Sequence, residues 1–286
     1  KRPSREEKQE TMRLMKRVVL HLIVALIVII FMFPLYWMVS TAFKSNDVLL
    51  KIPPEWFPKK PILDNFLKIL TNPDFIGFYK NTIITSVSTT LLCLFISVHA
   101  SYSFSRFTYR LNKIFQMGIL STQMFPGIVL LLSLYMIYRK LGLLNTYLAL
   151  ILACTTKALP LGIWMLKGFF DTIPKSIEEA AYIDGAGKIQ TLYRIIVPLI
   201  KPGIVAVSIY AFMVTWDDFI YALTLINRAE KRTLPAGIAM AFLGEYGYDW
   251  ARVMAAAVAA SVPILIIFIF LQKYMIAGLT AGAVKE

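Results

Sequence analysis

Apolar residues fill most of the chain in long runs, and short polar stretches separate these runs from one another. A membrane-crossing helix needs about 20 predominantly apolar residues. The pattern therefore predicts an all-α, polytopic membrane protein whose transmembrane domain occupies residues 18–273. The six predicted transmembrane helices cover approximately residues 18–43, 79–104, 114–138, 145–166, 202–225 and 252–273. The first run is too long for a secretory signal and no small-residue cleavage site follows it, so we interpret it as a retained helix.

Composition agrees with this pattern and excludes an ordinary soluble domain. Hydrophobic residues make up 58% of the 286 residues, charged residues only 16%, and the mean hydropathy is +0.65. The net charge of +13 does not indicate nucleic-acid binding, because the basic residues lie at the ends of apolar runs. Cys93 and Cys154 lie inside apolar runs, so we predict neither a disulfide framework nor a metal site.

The distribution of basic residues orients the predicted helices. An even number of helices places both termini on the same side of the membrane. With the termini inside, the inner segments carry 17 Lys and Arg residues and the outer segments carry 12. The positive-inside rule then favours cytoplasmic termini. We predict cytoplasmic segments at residues 1–17, at 167–201 and, as a C-terminal tail, at 274–286.

Residues 167–201, between the fourth and fifth predicted helices, combine charged residues with a glycine-containing turn. Good helix formers extend over residues 176–184, and Gly185 can adopt the left-handed conformation that ends a helix. A second helix is predicted over residues 188–197, ending before Pro198, which cannot continue a helix without disturbing it. The pattern predicts a cytoplasmic helix-turn-helix.

One side of this helix-turn-helix is suited to contact with another protein. Ala180 and Ala181 leave a bare surface that a partner can approach closely, and Glu178 and Glu179 place charge beside it. An alternative is purely local: Ser176 and Glu179 have the spacing of a capping box, in which Glu179 only starts the helix.

The segment GAGKIQT, which begins at Gly185, has some features of a phosphate-binding loop. That pattern requires glycine at position 182, where the chain has tyrosine, and Ser or Thr at position 189, where it has isoleucine. No predicted strand precedes the segment either. We therefore do not expect this chain to bind ATP.

The same loop carries a resemblance to a known family. Glu179, Ala180, Ala181, Gly185, Ile195, Val197 and Pro198 match the EAA motif (EAA-x3-G-x9-I-x-L-P) of permease subunits in binding-protein-dependent ABC importers, except that valine replaces leucine. Other stretches resemble the sugar-transporter branch that includes the smaller maltose permease: ASYSFSRF, LGLLNTY, IPKSIEEAAYIDGA and GLTAGAVKE. The resemblance covers nearly the whole chain and implies the MetI-like ABC permease fold.

The resemblance implies a set of partners. Such permeases form a heterodimer with a second homologous permease, dock on two copies of a cytoplasmic ATPase subunit and receive substrate from an extracytoplasmic solute-binding protein. It implies a bacterial or archaeal cytoplasmic membrane and no nucleic-acid partner. It also implies that the ATPase subunits bind ATP and Mg²⁺, whereas this chain binds no cofactor and is not an enzyme.

Family membership would make the helix-turn-helix the element that couples the permease to ATP hydrolysis. The residues expected to make or shape this contact are Glu178, Glu179, Ala180, Ala181, Asp184, Gly185 and Gly187. The tail GLTAGAVKE resembles the sugar-permease tail that reaches between the ATPase subunits.

Ionisable residues at membrane depth are costly and are therefore candidates for the substrate pathway. The ionisable candidates are Lys157, Asp217 and Asp218, and Trp216 is a further candidate because an aromatic ring can stack on a sugar. Lys157 either pairs with one of the two aspartates, faces the pathway, or extends its ammonium group to an interface. His99 is expected to make a hydrogen bond near the cytoplasmic end of the second helix.

The outer segment GEYGYDW combines glycines with aromatic residues. It resembles the loop of the maltose system that reaches toward the binding protein, and the residues expected to contact that protein are Glu245, Tyr246, Tyr248 and Trp250. The alternative is a loop that only caps the following helix.

The sequence leads to one main functional hypothesis, a permease subunit of an ATP-driven oligosaccharide importer, with maltodextrins as the first substrate class considered. Acidic sugars, polyols and glycerol phosphate are alternative substrates for such a permease. A self-contained secondary transporter is less favoured, because we find no clear inverted repeat. A membrane enzyme is less favoured too, because the chain has only two histidines.

Overall fold

The computed structural model describes residues 5–244 and 247–281, and these residues are predominantly helical. The helices are α1 Arg5–Ala42, α2 Asn46–Leu49, α3 Asp64–Leu70, α4 Pro73–Arg106, α5 Asn112–Ser121, α6 Gly127–Lys140, α7 Tyr147–Asp171, α8 Lys175–Ile183, α9 Lys188–Thr191, α10 Val197–Leu199, α11 Lys201–Trp216, α12 Ile220–Leu225, α13 Leu234–Phe242 and α14 Trp250–Ala281. Short 3₁₀ helices lie at Thr122–Met124 and Ala229–Lys231, and a π-helical turn at Leu192–Ile196. Strands β1 Leu243–Gly244 and β2 Gly247–Tyr248 pair antiparallel. The predicted all-α class is confirmed, with this one two-residue strand pair added.

Four helices in the described part of the chain are long and apolar enough to cross a membrane by themselves. They are Met12–Ala42, Pro73–Arg106, Tyr147–Asp171 and Trp250–Phe270. Two bent helix pairs raise the possible number of spans to six, if each pair counts as one. The predicted number of six is reached only if each bent pair is counted as one span. The second pair joins Lys188–Leu199 to Lys201–Trp216 at 81° and so includes residues predicted to be cytoplasmic. In addition, two of the six predicted helices, the third and the fifth, are not continuous.

The third predicted helix, 114–138, is broken near its middle. The segments Asn112–Met124 and Gly127–Lys140 meet at an angle of 100°. Phe125, at the break, is extended with φ −78° and ψ 137°, and Pro126 follows it. A residue before proline is disfavoured in the helical conformation, which explains why the chain bends here.

The fifth predicted helix, 202–225, is interrupted at its two aspartates. Helix α11 ends at Trp216 and α12 begins at Ile220. Asp218 Oδ1 accepts a hydrogen bond of 3.0 Å from the backbone N–H of Ala222, and thereby serves one of the free donors in the first turn of α12. The carboxylate therefore stabilises a new helix start instead of a continuous helix.

The last predicted helix is longer than expected. Helix α14 continues to Ala281, so residues 274–281 of the predicted C-terminal tail are helical. Residues 282–286 lie outside the described part of the chain. At the other end of the chain, α1 begins at Arg5, inside the predicted N-terminal segment 1–17.

The chain divides into two compact units, and the smaller combines the residues up to Ile69 with Phe242–Ala259. In this unit Lys44 is buried, donates a hydrogen bond to the carbonyl of Glu55 and lies 4.5 Å from the centre of the Trp37 ring. Burial lowers the pKa of Lys44, and the nearby Glu55 charge partly offsets this. Asn65 donates hydrogen bonds to the carbonyls of Ala42 and Lys44, at 2.8 and 2.9 Å. These contacts attach the loop after α1 to the end of that helix.

The larger unit contains Leu70–Ala241 and the residues from Ala260 onward. Its centre is formed by α4, α7 and α11, which pack through small side chains. A Cβ atom on Gly162 of α7 would lie 3.0 Å from Ser97 Oγ of α4, and one on Gly203 of α11 only 2.4 Å from the Phe169 ring. Small residues at such contacts let helices approach closely, which is how helices associate in lipid.

Some of the buried hydroxyl groups in this centre bond to their own helices, whereas Ser101 Oγ of α4 donates a hydrogen bond of 2.7 Å to the carbonyl of Ile163 on α7. Thr85 Oγ1 donates to the carbonyl of Asn81 at 2.9 Å, and Thr155 Oγ1 donates to the carbonyl of Ile151 at 2.7 Å. Each bond runs four residues back along the helix, as is common for Ser and Thr in helices. These two hydroxyl groups are thus served within one helix and do not require a partner from another.

Candidate functional site

The predicted helix-turn-helix, residues 167–201, is present and its turn is as expected. Helix α8 ends at Ile183, and Gly185 has φ +82°, the left-handed conformation that favours glycine. The next glycine, Gly187, has φ −75° and precedes α9. Pro174 occupies the position before α8, and no side chain bonds to the first turn there. The capping-box interpretation of Ser176 and Glu179 is therefore wrong.

The second helix of the loop does not end before Pro198 as predicted. It passes through the π-helical turn Leu192–Ile196 and ends at Leu199. Pro198 has no N–H to donate to the carbonyl of Arg194, and a wider turn accommodates its ring inside the helix. Tyr193, in the π turn, places its hydroxyl 3.0 Å from His99 Nε2, so the expected hydrogen bond of His99 is found.

Glu178 faces the protein interior, contrary to the exposed contact position predicted for it. Its residue exposure is 5%, and its carboxylate forms an ion pair with Arg106 at the end of α4. The Tyr102 hydroxyl donates a hydrogen bond of 2.9 Å to the other carboxylate oxygen. Ala181 is also buried, at 5%, so only one of the two alanines lies on the outer surface.

The outer side of α8 and the turn combines charge with exposed apolar side chains. Glu179, Ala180 and Asp184 are exposed, in agreement with a contact surface. Ile183 and Ile189 flank the turn and are 88% and 75% exposed. Sequence reasoning missed these isoleucines, although two apolar residues beside a glycine turn in a polar loop were a detectable signal. Exposed apolar groups at one place indicate contact with a partner.

A second candidate site lies where α11 ends. Lys157 of α7 forms an ion pair with Asp218, with Nζ 3.1 Å from Oδ2. The Asp218 side chain is 3% exposed, whereas that of Lys157 is 45% exposed. Of the three interpretations of Lys157, the ion pair is therefore present, and the half-exposed side chain leaves a pathway position open. Asp217 is exposed.

Two helix interruptions meet beside this ion pair. Gln123, in the break of the third predicted helix, donates a hydrogen bond of 3.2 Å to the backbone carbonyl of Lys157. Tyr221 of α12 donates one of 3.1 Å to the carbonyl of Gly127 at the start of α6, and its ring lies 5.4 Å from Lys157 Nζ. Interrupted helices at membrane depth commonly build transport sites. The sequence showed a Gln and a Pro inside an apolar run, and this signal was missed.

Trp216 does not suit the predicted role in the pathway. Its side chain is part of the buried core at 3% exposure, and its ring N–H donates to the carbonyl of Ala260 at 3.2 Å. The ring also stacks on Phe212 and meets Tyr79 edge to face. A side chain that is only 3% exposed has no free ring face for a sugar.

The outer segment predicted to contact a binding protein forms the β1–β2 pair and the start of α14. Glu245 and Tyr246 lie outside the described residues, and Tyr248 belongs to β2. Trp250 is 39% exposed. Asp249 accepts a hydrogen bond of 3.1 Å from the N–H of Arg252, so the segment does cap α14, as the alternative interpretation stated. The contact itself stays a prediction.

The arrangement of ionisable groups gives no indication of a metal centre. Within residues 5–244 and 247–281, no three His, Cys, Asp or Glu side chains come close enough to hold an ion. Cys93 and Cys154 are both buried and free.

Comparison with known proteins gives concordant matches. The family model of the binding-protein-dependent transport system inner membrane component matches residues 94–281, which include both candidate sites. The chain is 36% identical over 274 residues to the trehalose/maltose transport system permease protein MalG of Thermococcus litoralis, covering 95% of this chain and 98% of that protein. It is 36% identical over 254 residues to the sulfoquinovosyl glycerol transport system permease protein SmoH of Agrobacterium fabrum, covering 89% of each.

A third relative and a solved structure extend these matches. The chain is 30% identical over 276 residues to the maltodextrin transport system permease protein MdxG of Bacillus subtilis, covering 96% of this chain and 98% of that protein. Its fold is similar to that of a chain in a bacterial ABC transporter involved in the import of the acidic polysaccharide alginate, with a TM-score of 0.80 and 22% identity. That match covers 95% of this chain and 98% of the other.

Proposed function

The chain belongs to the family of inner-membrane components of binding-protein-dependent transport systems, and on this premise we propose that it is a permease subunit of an ATP-driven oligosaccharide importer. The EAA resemblance is thereby confirmed at the level of the family. The observation that carries the proposal is the outer side of α8, where exposed Glu179 and Ala180 lie next to the highly exposed Ile183. That combination of charge and apolar surface suits a cleft in a partner ATPase.

In the proposed assembly this chain pairs with a second, homologous permease. Two ATPase subunits bind ATP and Mg²⁺ on the cytoplasmic side, and an extracytoplasmic binding protein delivers the sugar. Both termini lie in the cytoplasm of a bacterial or archaeal cell. Closure of the ATPase subunits on ATP pulls on α8, and the transmembrane helices rock between inward-facing and outward-facing arrangements. The chain itself binds no cofactor and performs no chemistry.

Maltodextrins are the proposed substrate class, since MalG of Thermococcus litoralis and MdxG of Bacillus subtilis are named for trehalose/maltose and maltodextrin transport. A second candidate is an acidic sugar. Lys157 favours it, because its side chain is 45% exposed beside the interrupted helices and a cation there would attract an anionic group. SmoH, at 36% identity, is named for sulfoquinovosyl glycerol transport.

Charge reversal on the outer side of α8 tests the proposed coupling. We expect Glu179→Lys to abolish ATP-dependent uptake of maltotriose into proteoliposomes and to reduce co-purification of the ATPase. The positive charge of the lysine would be repelled by a cation of the ATPase, or left without a partner, at the place where Glu179 makes its contact. Gly168→Ala is a matched control, since its added Cβ meets nothing within 4 Å. Normal uptake and normal ATPase co-purification with Glu179→Lys would contradict the coupling role.

A further inference from the structure

Residues at the cytoplasmic end of α4 contact both the short link between α7 and α8 and helix α8 itself. Arg106, the last residue of α4, forms the ion pair with Glu178 of α8 through its Nε. Its Nη2 donates a hydrogen bond of 2.9 Å to the backbone carbonyl of Ile173, in the short link before α8. One guanidinium group therefore contacts the link and the helix that follows it.

The ion pair is buried and its groups are well served by hydrogen bonds. The side chains of Arg106 and Glu178 are each 7% exposed. Glu178 Oε1 accepts from Arg106 and Oε2 accepts from the Tyr102 hydroxyl, so both carboxylate oxygens have a donor from α4. Charge-assisted bonds of this kind are strong and directional, and Arg fixes the geometry through its planar fork.

The end of α7 is attached to the same place. Ser105 Oγ donates a hydrogen bond of 2.6 Å to Asp171 Oδ1 at the end of α7, and it accepts one of 3.1 Å from Arg106 Nη1. The Tyr102 ring packs against Phe170, with the ring centres 5.6 Å apart. The ends of α4 and α7 and the first half of α8 are thus joined by one continuous set of contacts.

The link itself offers little stiffness without these contacts. Residues 172–174 are not helical, and only this short stretch separates α7 from α8 along the chain. A force on α8 would bend the link first if nothing else held the helix. The contacts from α4 oppose that bending.

We propose that Arg106 and Glu178 are positioning residues that make α8 and the cytoplasmic end of α4 move as one body. A displacement of α8 by the ATPase then reaches α4, a membrane-crossing helix, instead of being absorbed at residues 172–174. The proposal rests on the proposed function, because it assumes that an ATPase acts on α8. It gives Glu178 a role distinct from that of exposed Glu179.

A distance measurement tests this directly. Spin labels are attached at Leu91→Cys on α4, which is 62% exposed, and at Ser176→Cys on α8, which is also exposed. Cys93 and Cys154 are buried and stay in place, with a sample lacking the two added cysteines to show that they do not label. Pulsed electron paramagnetic resonance on the full complex compares the nucleotide-free state with the state trapped by ATP and vanadate.

In the otherwise unmodified complex we expect the distance between the labels to be the same in both states. With Glu178→Gln it should shift or broaden on trapping, because the link now bends. Maltotriose uptake per ATP hydrolysed should fall by about fivefold or more, the lower end of the factors by which coupled sites affect each other. The double variant Arg106→Glu/Glu178→Arg should restore a narrow, unchanged distance and is used if Glu178→Gln does not assemble.

Lys68→Gln is the matched control, since it removes an ion pair with Asp64 that lies within α3 and has no part in the contacts of Arg106. It should leave the distance unchanged. The proposal is overturned if the label distance changes on trapping in the unmodified complex. It is also overturned if the label distance in Glu178→Gln equals that of the unmodified complex in both states. Equal losses of ATP hydrolysis and assembled complex, with an unchanged distance, would show a role in folding only. Failure of the unmodified complex to bind an ATPase or to trap nucleotide would instead contradict the proposed function.

Discussion

Two ion pairs in the larger unit join helices in opposite ways. Arg106 and Glu178 are both nearly inaccessible, at 7% side-chain exposure each, and every charged oxygen has a donor. In the second pair Asp218 is 3% exposed but Lys157 is 45% exposed. The first pair is therefore closed and the second is open on its cationic side.

The difference in exposure follows from the groups that each ion pair contacts. Arg106 and Glu178 connect the end of one helix to the middle of another, and no group is left for a ligand. Asp218 also serves the start of α12, so its charge is fixed in place by the fold, whereas the Lys157 side chain reaches a surface. A closed pair fixes geometry, and an open pair leaves a charge available to a substrate.

Removing the cation of the closed pair is expected to have the largest effect. Arg106→Met leaves the Glu178 carboxylate buried without its partner, and the free energy of unfolding should fall by about 3–5 kcal/mol. Thermal unfolding of the purified complex in detergent measures the loss. The double variant Arg106→Met/Glu178→Met should regain most of it, because it removes the unpaired charge. Equal stability of Arg106→Met and the unmodified protein would contradict a buried carboxylate that depends on Arg106.

Removing the cation of the open pair should cost less. Lys157→Met is expected to lower the free energy of unfolding by about 1.5–3 kcal/mol, the range for a hydrogen bond to a charged group. Asp218 keeps the N–H of Ala222, which limits the loss. Adding Asp218→Asn should restore part of it.

The same double variant decides between the two substrate classes. If acidic sugars use Lys157, uptake of an alginate trisaccharide should fall while uptake of maltotriose is spared. Equal uptake of both sugars would assign Lys157 to the ion pair alone.

The smallest expected effect concerns the turn next to the closed pair. Gly185→Ala should cost about 1–2 kcal/mol, because a residue with a Cβ is disfavoured at φ +82°. Gly187→Ala is the matched control, since Gly187 has an ordinary φ of −75° and the substitution should stay within about 0.5 kcal/mol. Both changes are measured by thermal unfolding. If Gly187→Ala lowers the free energy of unfolding as much as Gly185→Ala does, then backbone conformation is not the reason for glycine at these two positions.

Sequence patterns correctly predicted the helix end that depends only on residues nearby in the sequence. The first helix of the helix-turn-helix ends at Ile183 because Gly185 takes the left-handed conformation, and both facts can be read from neighbouring residues. The break before Pro126 also has a local cause, but the long apolar run around it concealed the signal. The apolar pattern measures how much chain can enter a membrane and is insensitive to a single bend.

The orientation of Glu178 could not be predicted in the same way. Glu178 and Glu179 are chemically identical neighbours that point about 100° apart on a helix of 3.6 residues per turn. Which of them turns inward is decided by Arg106, which is 72 residues away in the sequence. Only the packed structure brings that guanidinium to the helix, so the choice between the two glutamates depends on tertiary contacts.

The hydroxyl groups of α4 and α7 that bond to their own helices have a consequence for biogenesis. Thr85 and Thr155 enter the lipid with their hydrogen bonds already made, since the acceptor lies four residues back in the same segment. An exposed hydroxyl without a partner would cost free energy in hydrocarbon until a neighbour arrived. These two hydroxyl groups therefore need no neighbouring helix when their segments leave the translocation machinery, and the close contact at Gly162 can form afterwards, when α4 and α7 meet sideways in the bilayer.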